Sequence, residues 1–325
     1  MQRTVCILCI VVIAIVLAAI FVCIKLRITF IDIQWQAMLS KKSGYKVTLS
    51  ILPLYPRSDA DYSSVRGFLS LINYLATTHK RKSVRSLPYS PVRLRRPVHT
   101  GHPMHSDKIS IKIMQLASSP HVALERFRTI VSYAKARHVF VWISAVMQDT
   151  LALEYDCYMR MRAAGYRNVG LTVATYNTSA IPTIERILRI DGHVRLVKGH
   201  YRGNISDWHQ VTTNYIRASK LLIDSAIHHT LATHDFAVLR QLYDYNPRFT
   251  QTIEFAFFYE ALPHVEKQLS AMPFVPIYKT LYMAQGDYLQ YALRNLKTLD
   301  VQRHLERKVR VALYRWSPFE LLRFK

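Results

Sequence analysis

From residue 107 onward, short apolar runs alternate with longer amphipathic ones, and no other feature constrains the fold as much. "KISIKIMQL" reads as a strand and 121–137 as a helix; "HVFVWISAV" reads as a strand and 149–165 as a helix ending at Gly165. "NVGLTVATY", "HVRLVKGHY", "HHTLATHD", "QTIEFAFFY" and "FVPIYKTLYMAQG" continue the strands. Helical patterns at 180–190, 207–227, just after 235, 260–270 and 287–298 lie between and after them. Strands that alternate with helices of this length form a parallel sheet with crossover connections. Seven such units in a row favour a closed TIM-type (β/α)8 barrel over an open sheet. The eighth strand is unclear, and "KVTLSI" at 46–51 is one candidate.

The front of the chain differs. Residues 5–24, "VCILCIVVIAIVLAAIFVCI", are apolar and uncharged, long enough to cross a bilayer core as a helix. A cleaved signal peptide competes, since Ala18 and Ala19 sit where a cleavage site belongs, but the run is longer than a usual signal core. We expect a retained anchor over 1–27. Lys25, Arg27, Lys41, Lys42 and Lys46 follow the run and only Arg3 precedes it, which puts the body on the cytoplasmic or an equivalent side. The sequons at Asn177 and Asn204 agree, because both fall where strands open into the barrel mouth. The run does not distinguish the inner mitochondrial membrane from a viral or other cellular membrane.

Residues 28–106 form an N-terminal segment with a helix-like stretch, "SSVRGFLSLINYLATTH", and a basic, proline-containing linker over 79–106. The linker is either solvated or in contact with anionic lipid. The barrel spans 107–298, and 299–325 is a basic tail, packed on the barrel or lying on a membrane. Lys plus Arg outnumber Asp plus Glu by 44 to 21, which attracts anionic partners without naming one. No nucleic-acid motif is present, so no specific nucleic-acid partner is expected. Cys6, Cys9 and Cys23 lie in the apolar run and only Cys157 in the body, so neither a disulfide framework nor a zinc site is expected there.

In such barrels the site lies at the C-terminal ends of the strands. Polar residues gather at those ends: Lys112 on the first strand of the series, Arg195 and Lys198 on the fourth, with Tyr201 just past it. Thr233, His234 and Asp235 end the fifth, Glu254 is on the sixth and Tyr282 on the last. One such residue is an ordinary core polar group; several on one rim point to a binding site. The bland alternative for Arg195 is an ion pair with Glu254 or another barrel acid.

Here the residues point to a family. "RLVKGHY" resembles the R-L-V-K-G-A-Y strand of FAD-dependent proline dehydrogenases. "ISIKIMQL", "MRAAGYRNVGLTVATY", "LATHD", "IEFAFFYEAL" and "LYMAQGDYLQYALRNL" resemble the neighbouring family segments in order, over about 107–298. The resemblance implies a distorted barrel that binds FAD at its mouth and oxidises proline to pyrroline-5-carboxylate, with hydride passing to flavin N5 and electrons to a membrane quinone. It implies that Arg195 sits near N5, that Lys198 and Gly199 line the cofactor, and that Thr233 and His234 touch it. It further implies that Lys112 and Arg294 grip the substrate carboxylate, and that Tyr201 and Tyr282 pack on the substrate.

The sequence also departs from the family. Ser144, Ala145 and Val146 stand in place of an acidic motif, Ala174 and Ala256 in place of glutamines, and Arg294 is followed by Asn295 where a second arginine is usual, then by Thr298 where a glutamate is usual. Losing one arginine of a desolvated clamp costs about 2–5 kcal/mol. Two readings follow: a membrane-anchored flavin-dependent dehydrogenase of proline or a related amino acid, or a catalytically degenerate barrel that serves as a membrane-anchored structural or interaction protein.

Overall fold

A computed structural model describes residues 44–51, 58–82, 106–144, 150–198, 203–225 and 227–285, together with Ala37. The expected anchor, most of the basic linker, the helix at 287–298 and the tail lie outside these residues. No described helix is long and apolar enough to cross a membrane. The chain divides into two compact units, Ile33–Ala284 and a second made of Met1–Asp32 with Gln285–Lys325; the fold described below is the first.

The strands are β1 (Lys46–Ile51), β2 (Lys108–Ile111), β3 (Phe140–Ile143), β4 (Val169–Ala174), β5 (His193–Val197), β6 (His229–Ala232), β7 (Ile253–Phe258) and β8 (Tyr278–Gln285). They form a closed barrel in sequence order, and every pairing with a described register is parallel. "KVTLSI" is therefore the missing strand. It pairs with β2, and its Thr48 hydroxyl meets that of Thr280 on β8 at 3.1 Å. The barrel thus takes one strand from the N-terminal segment and begins well before residue 107.

The helices are α1 (Ser63–Lys82), α2 (Pro120–Lys135), α3 (Leu151–Ala163), α4 (Ala180–Leu188), α5 (Trp208–Asp224), α6 (Phe236–Tyr245) and α7 (Leu262–Ser270). Local chemistry sets several of their ends. Ser119 caps α2 by accepting from the Val122 N–H, with Pro120 opening the helix. Asp235 caps α6 by accepting from the Val238 N–H. Proline in the first turn and a short polar side chain before it leave fewer orphan donors. Just past α3, Gly165 adopts φ +80, which reverses the chain at little steric cost.

The strands have two unlike faces. Val47, Leu49, Ile109, Ile111, Val141, Ile143, Leu171, Val173, Val194, Leu196, Phe255 and Phe257 point outward into one large apolar core beneath the helices. The alternating positions point inward. Branched aliphatic side chains usually fill such an interior. Here Thr48, Ser50, Lys108, Ser110, Thr172, Arg195, Thr230, Glu254 and Thr280 line it, all buried. Phe140 and Trp142 form a separate small aromatic pair among them. Gly170 makes room for that pair: a Cβ there would lie 2.3 Å from the Trp142 ring.

Candidate functional site

Arg195 projects from β5 into this interior and is 6% exposed. Its Nε donates to Thr172 Oγ1 at 2.9 Å, and Nη2 donates to Ser110 Oγ at 2.9 Å and to Ser144 Oγ at 3.4 Å. The guanidinium carbon lies 5.5 Å from the Trp142 ring centre and 5.8 Å from that of Tyr282. Burial pulls its pKa down to about 10, opposed by Tyr282 and Glu254, so it stays cationic at neutral pH. A buried guanidinium hydrogen-bonded to hydroxyls alone keeps its full charge for something else.

The alternative ion pair with Glu254 is not made. Glu254 is the second residue of β7 and lies in the lower half of the barrel, not on the rim. Its Oε2 accepts from Lys108 Nζ at 2.7 Å, and the ammonium also donates to the Ser106 carbonyl at 3.0 Å. Burial raises the Glu254 carboxyl above its ordinary value, and Lys108 opposes that rise. Placing Glu254 with the rim residues requires only that it be on a strand; its position along that strand decides the matter.

Lys112 lies just past β2 rather than within it, half-buried, as the residue before a short 3-10 turn, Ile113–Gln115. Its N–H donates to the Gln115 side chain at 3.0 Å. Lys198 follows β5 directly and is pinned to Asp235 Oδ2 at 2.6 Å, with its ammonium 4.8 Å from the exposed Trp208 ring centre. Burial favours the neutral Asp235 acid, but hydrogen bonds from Lys198 and the Val238 N–H outweigh it and hold the carboxyl below its ordinary value. Thr233 Oγ1 accepts from the Asp235 N–H, and His234 Nε2 accepts from the Phe258 N–H. Tyr282 is half-buried on β8, edge-on to Phe258 at 5.8 Å. Gly199, Tyr201 and Arg294 lie outside the described residues.

The structure therefore brings Arg195 and Tyr282 together, with Lys198, Thr233 and Asp235 joined in a neighbouring hydrogen-bonded group at the ends of β5 and β6. Sequence reasoning missed the groups that hold Arg195: Ser110, Thr172 and Trp142. The signal was there as period two. Lys108, Ser110 and Lys112 alternate in "KISIK", and Gly170, Thr172 and Ala174 alternate in "GLTVA", so a polar or small face runs along strands whose other face is apolar. Asn177, the first sequon, is buried with neither side-chain amide atom partnered, whereas Asn204 is exposed and bonded to Thr178.

No family model matches the chain, and no curated protein matches it in sequence. Solved structures do match. Proline utilization A from Bdellovibrio bacteriovorus, inactivated by N-propargylglycine, superposes with a TM-score of 0.65 at 17% identity over 80% of this chain. A Bradyrhizobium japonicum proline utilization A variant gives 0.58 at 18% over 78%. Proline utilization A with proline bound in remote sites gives 0.57 at 19% over 78%. This chain covers only 30%, 28% and 28% of those chains, so it is similar to a portion of each. In its fold, a closed parallel barrel of eight strands, this chain is similar to part of proline utilization A, in line with the proline dehydrogenase resemblance carried by its strand motifs.

Proposed function

We propose that this chain is a flavin-dependent oxidoreductase of the proline dehydrogenase kind, oxidising L-proline or a related amino acid to the corresponding imine at the barrel mouth. The observation that carries the proposal is Arg195, a buried cation whose hydrogen-bonded partners are neutral hydroxyls, inside a barrel whose fold is shared with proline utilization A. The residues fit FAD at its ring: Arg195 offers positive charge to an electron-rich ring system, and Tyr282 stands next to it. When bound, FAD would supply the hydride acceptor. Arg195 would favour the anionic reduced form by placing fixed charge where negative charge develops. Lys112 and Arg294 would orient the substrate carboxylate, and Tyr201 and Tyr282 would pack on its ring. Lys198, Gly199, Thr233 and His234 would border the cofactor. Orientation over the acceptor matters more here than an acid–base pair. The apolar run at 5–24 would hold the barrel at a membrane, body on the cytoplasmic-equivalent side, where a quinone is a suitable electron acceptor and the basic linker meets anionic lipid.

A second reading, a barrel that has lost catalysis and acts as a membrane-anchored structural or interaction protein, rests on specific observations too. Lys198, Thr233 and His234 make hydrogen bonds within the protein, and Ala174 and Ala256 offer no side-chain hydrogen bond. The visible absorption spectrum of the purified full-length chain separates the two. A flavin spectrum that bleaches with L-proline in the absence of oxygen, and does not bleach in Arg195→Met, is the result expected. A folded, colourless chain that takes up no added FAD would leave the second reading standing.

A further inference from the structure

The barrel interior holds donors that lack acceptors. Its described carboxylate, Glu254, is taken by Lys108. That leaves Arg195, bonded to the hydroxyls of Thr172, Ser110 and Ser144. Beside it, Trp142 is fully buried, and its indole Nε1, which can only donate, has no partner. The guanidinium carbon is 5.5 Å from the centre of that ring. The Thr230 hydroxyl, register neighbour of both Arg195 and Glu254, is also buried without a partner, as is Glu254 Oε1. Thr230 and Glu254 are complementary to each other, one a donor and the other an acceptor. The indole N–H and the guanidinium have no such complement. A buried charge and an unmade buried donor each cost free energy until an acceptor arrives. The next row of the register is Ala174, Val197, Ala232 and Ala256, none of which carries a polar side chain.

We infer that the interior binds a small carboxylate anion, accepting from Trp142 Nε1–H and from the Arg195 guanidinium. The inference needs no flavin and extends to ligands the proposed dehydrogenase would not oxidise. The carboxylate of a bound amino acid has the same chemistry as a free anion, so both are tested. The full-length chain is melted with increasing formate or L-proline, at ionic strength held constant with a bulky anion so that screening of the basic surface does not change. A ligand that binds only the folded state raises the melting temperature saturably.

Formate is expected to do this in the parent chain, about tenfold more weakly in Trp142→Phe, the loss of one hydrogen bond to a charged group, and not at all in Arg195→Gln. If Arg195→Gln fails to fold by circular dichroism, Trp142→Phe carries the test alone. A response that does not saturate, or that is equal in parent and Trp142→Phe, would overturn the site. So would a response to L-proline with none to formate, which would assign the cation to substrate recognition. A chain that takes up no flavin yet responds to formate would sink the dehydrogenase reading and leave this one standing.

Discussion

Lys108 Nζ and Glu254 Oε2 lie 2.7 Å apart inside the barrel, and the lysine is completely shielded from solvent. Each is near the start of its strand, Lys108 first in β2 and Glu254 second in β7. Removing one member leaves the other as an uncompensated buried charge. Lys108→Met is therefore expected to destabilise the fold by about 3–5 kcal/mol, read from urea unfolding. Adding Glu254→Leu to that variant should recover most of the loss, because a buried pair replaced whole by apolar groups is near neutral. A double variant no more stable than Lys108→Met would mean that Glu254 does not need its partner.

The barrel closes through β1, whose Thr48 reaches Thr280 on β8. A fragment starting at residue 107 lacks that strand and leaves β2 and β8 with open edges, which pair with other chains. Such a fragment is expected to be insoluble or oligomeric by size-exclusion chromatography, whereas one starting at residue 28 keeps all eight strands. A monomeric, cooperatively unfolding 107–325 fragment would show that β1 is dispensable.

The alternation of strand and helix patterns was enough to derive the barrel, because each unit's apolar faces depend only on local sequence spacing. β1 was harder to place: it stands far from the next strand in sequence, and nothing local says which edge it joins. The site was legible in part. Arg195 stood out as a charge in a buried strand. Its partners did not, because Thr172 on β4, Ser110 on β2 and Ser144 just past β3 are brought together only when the barrel closes. The Lys198 contact with Asp235 is hidden for the same reason: it spans 37 residues and depends on how two loops meet.

Gly170 and Trp142 are a second such pairing. They are register partners on β3 and β4, and the tryptophan ring occupies the space a side chain at 170 would need. Gly170→Ala should cost about 1–3 kcal/mol of stability through overpacking. Trp142→Leu in the same chain should relieve most of the clash, a coupling that a double-mutant cycle in denaturant measures. Additive effects of the two changes would mean that the ring yields freely.

Two buried groups give the stability opposite pH dependences. Glu154 is buried on α3, its Oε1 accepting from Thr150 Oγ1 at 3.1 Å, and burial raises its pKa to about 8. The folded state therefore holds this proton more tightly than the unfolded chain. Its stabilising contribution is complete below the ordinary value of 4.5 and is lost as pH rises through about 8. His229 is the reverse. Fully buried on β6, it accepts from the Val194 N–H and contacts Ser225 Oγ, and burial lowers its pKa to about 3. Its contribution is complete above the ordinary value of 6.5 and is lost as pH falls through about 3. The two slopes cancel between pH 4.5 and 6.5, and each acts alone outside that window. Glu154→Gln keeps the shape and the Thr150 bond but cannot ionise. Relative to the parent it should gain stability steadily from the ordinary value of 4.5 up to about 8, with about 2 kcal/mol of that gain falling above pH 6.5. His229→Asn, which preserves an acceptor for Val194, should flatten the acid side instead. Melting temperatures of the three proteins from pH 3 to 9 decide it, and a Glu154→Gln curve parallel to the parent above pH 6.5 would show that this carboxyl is already ionised in the fold.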